Sequence, residues 1–320
     1  MRSDLAHAAD VIRGARSVAL ACHVNPDGDA LGSMLGLHHV LRGAGVDVVS
    51  SFSEPFTVAP HYRELPGLDL LTPPASFPTE PDVMITFDSG ALSRLGDLER
   101  PAKAARELVV LDHHVSNDRY GSINVIVPDA AATGVVVRRL VDELDLALNA
   151  DAAVCLYAAL VCDTGRFQYE TTTPEVFQLA AELVGYGVPV AKLSRTLFEE
   201  HSFAYLKLMA AALERAVLDA DRSFVYTSVT RADLDEFGVS FGEIEGLIDV
   251  VRRTSEAEVS AVFKEGADGV TRVSMRSLGA VDVCRIAQSQ GGGGHRFAAG
   301  FSTDDPVAEI VRRIESQLHE

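Results

Sequence analysis

Short, almost unbroken apolar runs alternate with helical stretches through the first half of the chain. SVALACHV (17–24), VDVVSSF (46–52), PDVMITFDSG (81–90) and RELVVLDHH (106–114) read as buried strands. The N-terminal MRSDLAHAADVIRGAR has the pattern of a first amphipathic helix. Asp29–Leu41 is helical, with Gly43 and Gly45 placed to stop it. Ala131–Leu146 and Asp151–Val161 follow the helical period, and Thr173-Pro174-Glu175 supplies an N-cap and an N1 proline for a helix to about Gly185. Strands apolar on both faces and separated by helices predict a mostly parallel sheet flanked by helices.

The second half changes character. A helix over Phe203–Ala216 leads to the strand SFVYTSVT (223–230), then helices over 231–253. EVSAVFKEGADGVTRVSMRS reads as a hairpin turning at Gly266–Gly269, followed by the helix VDVCRIAQSQ, the loop GGGGHRFAAG and a last helix over 306–318. No low-complexity linker and no internal repeat interrupts this order. The boundary is best placed in 186–216, which predicts an α/β domain over 1–190, a linker helix over 191–216 and a smaller mixed α/β domain over 217–320.

Composition narrows the classes. At 320 residues the chain has length for two domains, and 47% hydrophobic with 23% charged residues is ordinary for a globular protein. No apolar run reaches the roughly 18–20 residues of a membrane span, and the N-terminus, with Asp4 and Asp10, has no signal-peptide core. Cys22, Cys155, Cys162 and Cys284 form no CxxC pair and read as reduced thiols, so a cytoplasmic location and no membrane partner are expected. A formal net charge of −18 argues against a long nucleic-acid strand as partner, since that needs a basic track. A small phosphate-bearing ligand is compatible, because bound metal ions reverse a local field.

Candidate chemistry sits where the strands end. SVALAC runs into His23, Asp27 and Asp29; DVMITF runs into Asp88; ELVVL runs into Asp112, His113 and His114. In a parallel sheet those carboxyl ends share one edge, where open α/β sheets bind ligands. Asp163 ends an apolar helix that can reach the same edge. One aspartate after a strand is usually a turn or cap residue. Three such strand ends with histidines form instead an oxygen- and imidazole-rich cluster suited to divalent ions such as Mn²⁺ or Mg²⁺. Six candidate ligands suffice for two ions sharing a carboxylate, and two ions can activate a water for in-line phosphoryl displacement. His38 and His39, mid-helix without carboxylate neighbours, read as structural.

HVNPDGDALGS, FDSG, LDHH and Asp163 together resemble the four metal motifs of the DHH phosphoesterase superfamily, and RVSMRS with GGGGHRFAAG resembles its DHHA1 domain. The pairing and the length are similar to those of the NrnA-like enzymes, which act as oligoribonucleases and 3′-phosphoadenosine-5′-phosphate phosphatases; some relatives hydrolyse cyclic di-AMP or pApA. The resemblance implies two α/β domains with the active site in a cleft between them. It implies that His23, Asp27 and Asp88 hold one metal and that Asp29, Asp88, His113 and Asp163 hold a second, with Asp88 bridging. His114 would face the substrate phosphate, and Asp112 would orient its neighbours or itself ligate. Dimerisation is common among such relatives, and a homodimer is an expectation on that ground only.

The glycine run can be read on its own terms. Backbone N–H groups at Gly292, Gly293 and Gly294 allow close approach of an anion, His295 adds a donor, and Arg276 beside Ser277 offers a forked guanidinium. In isolation this is a flexible turn; beside the strand-end cluster it reads as a substrate-gripping loop. The expected activity is a two-metal phosphoesterase acting on short oligoribonucleotides and dinucleotides, with Mn²⁺ favoured by the two histidine ligands. A non-catalytic nucleotide sensor or RNA-binding module, and a RecJ-type single-strand exonuclease, are the alternatives. A family II inorganic pyrophosphatase shares the first motifs but lacks the GGGGH element.

Overall fold

The computed structural model describes residues 2–318, and the chain divides between Leu197 and Phe198 into two compact units. In the first, the order is α1 (Arg2–Gly14), β1 (Ser17–Cys22), α2 (Gly28–Gly43), β2 (Asp47–Ser51), β3 (Val83–Phe87), α3 (Glu99–Ala104), β4 (Glu107–Asp112), β5 (Ile123–Ile126), α4 (Thr133–Glu143), α5 (Ala150–Asp163), α6 (Pro174–Gly185) and α7 (Val190–Phe198). The strands form one parallel sheet in the order β2-β1-β3-β4-β5. This is a doubly wound arrangement whose direction of winding reverses between β1 and β3. Register pairs Cys22 with Phe87 and Phe87 with Leu111, so three neighbouring strands end level with one another.

The packing of α2 decides what lies at that level. Asp27 caps the helix, its carboxylate accepting the N–H groups of Asp29 and Ala30, and α2 is buried from Gly28 to Leu41. Gly28, Gly32 and Gly36 recur every four residues and face α5. A Cβ at Gly32 would stand 2.4 Å from the Cys155 carbonyl oxygen and 2.9 Å from the Ala159 nitrogen. A Cβ at Gly28 would stand 2.3 Å from Cys162 Sγ, and one at Gly36 would stand 2.8 Å from Leu156 Cδ2. The two helices therefore cross almost backbone to backbone, antiparallel, with the N-terminus of α2 against the C-terminus of α5. That crossing carries Asp163 to the end of the molecule that holds Asp29.

The second unit runs α8 (Phe203–Glu214), β6 (Val217–Asp219), β7 (Phe224–Val229), α9 (Arg231–Phe237), α10 (Leu247–Val251), β8 (Val259–Glu265), β9 (Thr271–Ser277), α11 (Val283–Ser289), β10 (Gly293–His295), β11 (Ala298–Thr303) and α12 (Val307–Gln317). Its sheet, β10-β11-β9-β8-β7-β6, is antiparallel except for the parallel β7–β8 pair. One face packs Phe224, Phe263 and Met275 on Ile286 and Ile310; the other packs Val225 and Val262 on Tyr205, Leu208 and Ile248. The stretch 191–216, expected as a linker helix, is divided: α7 closes the first unit, whereas Tyr205, Leu208 and Ala212 of α8 belong to the second unit's core.

The glycine-rich segment expected as a loop is a hairpin. Gly293, Gly294 and His295 pair with Gly300, Ala299 and Ala298, and β11 pairs in turn with β9. The strands approach so closely that a Cβ at Gly292 would lie 2.2 Å from the Gly300 oxygen. Gly294 has φ 140°, and a Cβ there would lie 2.6 Å from the Ala298 oxygen. Glycine is thus required by backbone packing, in addition to any role toward an anion.

Candidate metal centre

His23, Asp27, Asp88 and His113 lie just past the carboxyl ends of β1, β3 and β4, Asp29 lies in the first turn of α2, which follows β1, and Asp163 ends α5. His23 follows β1 and its Nδ1 lies 2.9 Å from the Val24 carbonyl oxygen, where only an N–H is accommodated. Its Nε2 is thereby aimed at Asp88 Oδ2, 3.7 Å away, and Asp27 Oδ2, 4.0 Å away. His113 follows β4 and is oriented the same way, Nδ1 lying 2.9 Å from the Ala130 carbonyl oxygen. Its Nε2 stands 3.1 Å from Asp163 Oδ2, 3.5 Å from Asp88 Oδ1 and 3.7 Å from Asp29 Oδ2. Asp88 thus turns one oxygen to each imidazole. Its backbone lies in the left-handed region at φ 53°, a strained conformation of the kind found at functional sites.

The carboxylates are held as firmly as the imidazoles. Asp29 is fully buried; its Oδ1 accepts from Ser33 Oγ (2.9 Å) and the Gly134 N–H (3.0 Å), and its Oδ2 from the Thr133 N–H (2.6 Å). The N-terminus of α4 is therefore aimed at Asp29, where its dipole favours negative charge. Thr133 Oγ1 also donates to Asp88 Oδ1 at 3.0 Å. Asp112, fully buried, accepts at Oδ1 from the N–H groups of His113 and His114 and from His114 Nδ1 at 2.8 Å. With Asn117 Nδ2 on Oδ2, four donors in all contact the Asp112 carboxylate, which also lies with Asp88 and His114 in a third group whose ligand atoms are within 4.8 Å of one another.

Electrostatics describe a cluster short of positive charge. Burial, then Asp88 and Asp163, push Asp29 well above the ordinary carboxylate range. Burial also raises Asp88, but the imidazoles of His113, His114 and His23 outweigh it and hold that carboxyl well below the usual value. Burial lowers His113, yet hydrogen bonding to Asp163 and Asp88 keeps it well above an ordinary imidazole. A divalent cation would supply the missing charge. The donors fit one: in both His23–Asp27–Asp88 and Asp29–Asp88–His113, one ligand atom per residue lies within 4.8 Å of the others. Donors each about 2.1 Å from a shared ion stand about 3.0–3.5 Å apart, near the separations found here.

The remaining site residues expected from the sequence lie in the second unit. Arg276 is on β9 opposite Ala298, half-buried, with Nη1 donating to the Met275 carbonyl and Nε 3.8 Å from Asp249. Ser277 is buried and its hydroxyl donates to Glu258 Oε1 at 2.8 Å. Gly293, Gly294 and His295 form β10, with Gly292 leading into it. Arg272 pairs with Asp268 across the β8–β9 turn. His38 donates to or accepts from Ser50 Oγ in the core, and the His39 ring fills the space beside Gly67.

Ser33, Thr133, Gly134 and the Ala130 carbonyl went unrecognised in the sequence. Ser33 had a signal, since it stands four residues after Asp29 on α2 and so shares its face. Thr133-Gly134 opens a helix, but nothing local says which carboxylate that helix addresses.

Fold and site together define an α/β protein with a cluster of carboxylates and imidazoles suited to a divalent cation at the winding reversal of a parallel sheet, followed in the chain by a mixed-sheet unit. The DHH family N-terminal domain matches residues 17–160 and the DHHA1 domain matches residues 221–320. The chain belongs to the DHH family. It is 33% identical over 307 residues to the bifunctional oligoribonuclease and PAP phosphatase NrnA of Thermus thermophilus, covering 94% of this chain and 90% of that one. With the protein of the same name from Bacillus subtilis it shares 28% identity over 95% of each chain. An exopolyphosphatase-related protein of Bacteroides fragilis has the same fold, with a TM-score of 0.88 at 24% identity over 100% of this chain and 96% of that one.

Proposed function

We propose that the protein is a two-metal phosphoesterase that hydrolyses short oligoribonucleotides and dinucleotides such as pApA and cyclic di-AMP, and also 3′-phosphoadenosine-5′-phosphate, to 5′-mononucleotides. The observation that carries this reading is Asp88, whose two oxygens are divided between a His23–Asp27 set and an Asp29–His113–Asp163 set. That division suits a carboxylate bridging two ions. Bound there, the ions would lower the pKa of a water and neutralise the phosphoryl oxygens.

The chain's own residues do the rest. Asp112 holds His114 by Nδ1, so that Nε2 is the nitrogen to meet a phosphate oxygen in the transition state. Arg276 offers a guanidinium for a phosphate of the substrate. Oxygen from water forms the new bond to phosphorus while the bond to the ribose oxygen breaks, and that oxygen leaves with a proton. The two imidazoles among the ligands favour Mn²⁺ over Mg²⁺. Four free cysteines support a reducing compartment, the cytoplasm. Among the described residues no single helix is long and apolar enough to cross a membrane.

The test is a turnover panel of pApA, cyclic di-AMP, a five-nucleotide RNA and 3′-phosphoadenosine-5′-phosphate with Mn²⁺, beside an Asp88→Ala, His113→Ala double variant. Metal-dependent AMP release that the variant lacks supports the reading, and the ranking names the preferred substrate. Tight nucleotide binding with no turnover of any of the four would make the protein a sensor.

A further inference from the structure

Four residues beyond His113, Asn117 joins two of the site's strand ends through one amide. Its Nδ2 donates to Asp112 Oδ2 at 2.5 Å and to the Ser89 carbonyl oxygen at 3.1 Å. Its Oδ1 accepts the Arg119 N–H at 2.7 Å, an Asx turn that settles Arg119 at φ 54°. The next residue continues the join, the Asp118 N–H donating to the Gly90 carbonyl at 2.9 Å. Ser89 directly follows the strained Asp88, and Asp112 directly precedes His113 and His114. The amide therefore spans the end of β3 and the end of β4.

The division of labour on Asp112 gives this amide a specific role. Oδ1 is taken by the two backbone N–H groups and by His114 Nδ1, while Oδ2 is turned to Asn117. Without the amide, the carboxylate keeps three donors on one oxygen, and among the described residues no other hydrogen bond holds Oδ2. It can then rotate about its Cβ–Cγ bond, and the His114 ring turns with it. We infer that Asn117 is a positioning residue for the phosphoesterase reaction proposed above, locking the Asp112 carboxylate so that His114 presents Nε2 to the substrate phosphate. The inference rests on that reaction. It has the logic of outer partners that set the orientation of a reacting imidazole, whose loss costs about 10–100-fold.

Two variants separate this role from a merely structural one. Asn117→Ala removes everything. Asn117→Asp retains the size and the Oδ1 acceptor of the Asx turn but replaces the donor to Asp112 with a second acceptor. With pApA and Mn²⁺, both should lower kcat about 10–100-fold. KM and bound Mn²⁺ per chain of Asn117→Asp should stay close to wild type, while its Tm falls because two carboxylates meet at Asp112. In a His114→Ala background, adding Asn117→Asp should cost less than about threefold further, because residues acting as a unit are non-additive. Full activity of Asn117→Asp, loss of Mn²⁺ in place of kcat, or an undiminished further loss in the His114→Ala background would each overturn the role while leaving the reaction standing. A wild-type protein without turnover would overturn the reaction, and this role with it.

Discussion

Replacing Gly32 with Ala should destabilise the first unit and disturb its metal centre, although alanine is the better helix former. The added Cβ would sit 2.4 Å from the Cys155 carbonyl oxygen and 2.9 Å from the Ala159 nitrogen. Both are backbone atoms of α5, so no rotamer change relieves the contact and the helices must separate. Contacts this short with backbone atoms put the overpacking cost in the upper part of its range, about 2–3 kcal/mol, and the gain in helix propensity offsets about 1 kcal/mol of it. A net loss of about 1–2 kcal/mol corresponds to a fall in Tm of about 2–8 °C for a unit of this size. Because α5 ends at Asp163, 3.1 Å from His113 Nε2, its displacement should also cost activity, about 10²-fold for a 1 Å misplacement. Calorimetry and pApA turnover should be run beside Gly185→Ala, where a Cβ meets nothing within 4 Å. Gly185→Ala should be neutral or slightly stabilising. A Gly32→Ala protein with a Tm at or above wild type would refute the close crossing of α2 and α5 as the device that positions Asp163.

Two further expectations concern charge. Asp29 and His113 both hold protons more tightly than their ordinary values, so ion binding must displace those protons. Affinity for Mn²⁺ should accordingly rise as pH rises through the raised values, by up to about tenfold per pH unit for each proton released, and calorimetric heats should vary with the buffer; an affinity flat between pH 6 and 8 would count against the site. Arg276→Ala should lower kcat/KM for pApA about 10–100-fold, the worth of a charge-assisted bond of about 1.5–3 kcal/mol, with Arg276→Lys falling between because ammonium cannot fork. Equal kcat/KM in wild type and Arg276→Ala would remove that residue from substrate binding.

What could be read in the sequence follows from how local each signal is. β1, β3 and β4 are continuous apolar runs that lead into the candidate ligands, so the sheet edge and the cluster were visible together. β9 was visible through its alternation, Thr271, Val273, Met275 and Ser277 pointing into the core. β5 and β6, with four and three residues, are too short to establish a period. β10 and the start of β11 consist of glycine and alanine, whose side chains make no pattern; the pairing that makes them strands is seen only once the backbones meet. The site divides in the same way. His23, Asp27 and Asp29 lie within seven residues, whereas Thr133 bonds the carboxylates of Asp29 and Asp88, 104 and 45 residues away, and Asn117 reaches back from the loop after β4 to Asp112 and across to Ser89.

The most direct test of the metal centre is the number of Mn²⁺ ions bound per chain, measured by titration calorimetry on chelator-stripped protein and repeated on Asp88→Asn. Asn tolerates the left-handed backbone of this position but lacks the second anionic oxygen that bridging requires. Two ions per chain in the wild type, with both sites weakened by Asp88→Asn, is the result expected of a shared carboxylate. A wild type that binds no Mn²⁺, or two sites of which Asp88→Asn weakens only one, would contradict it.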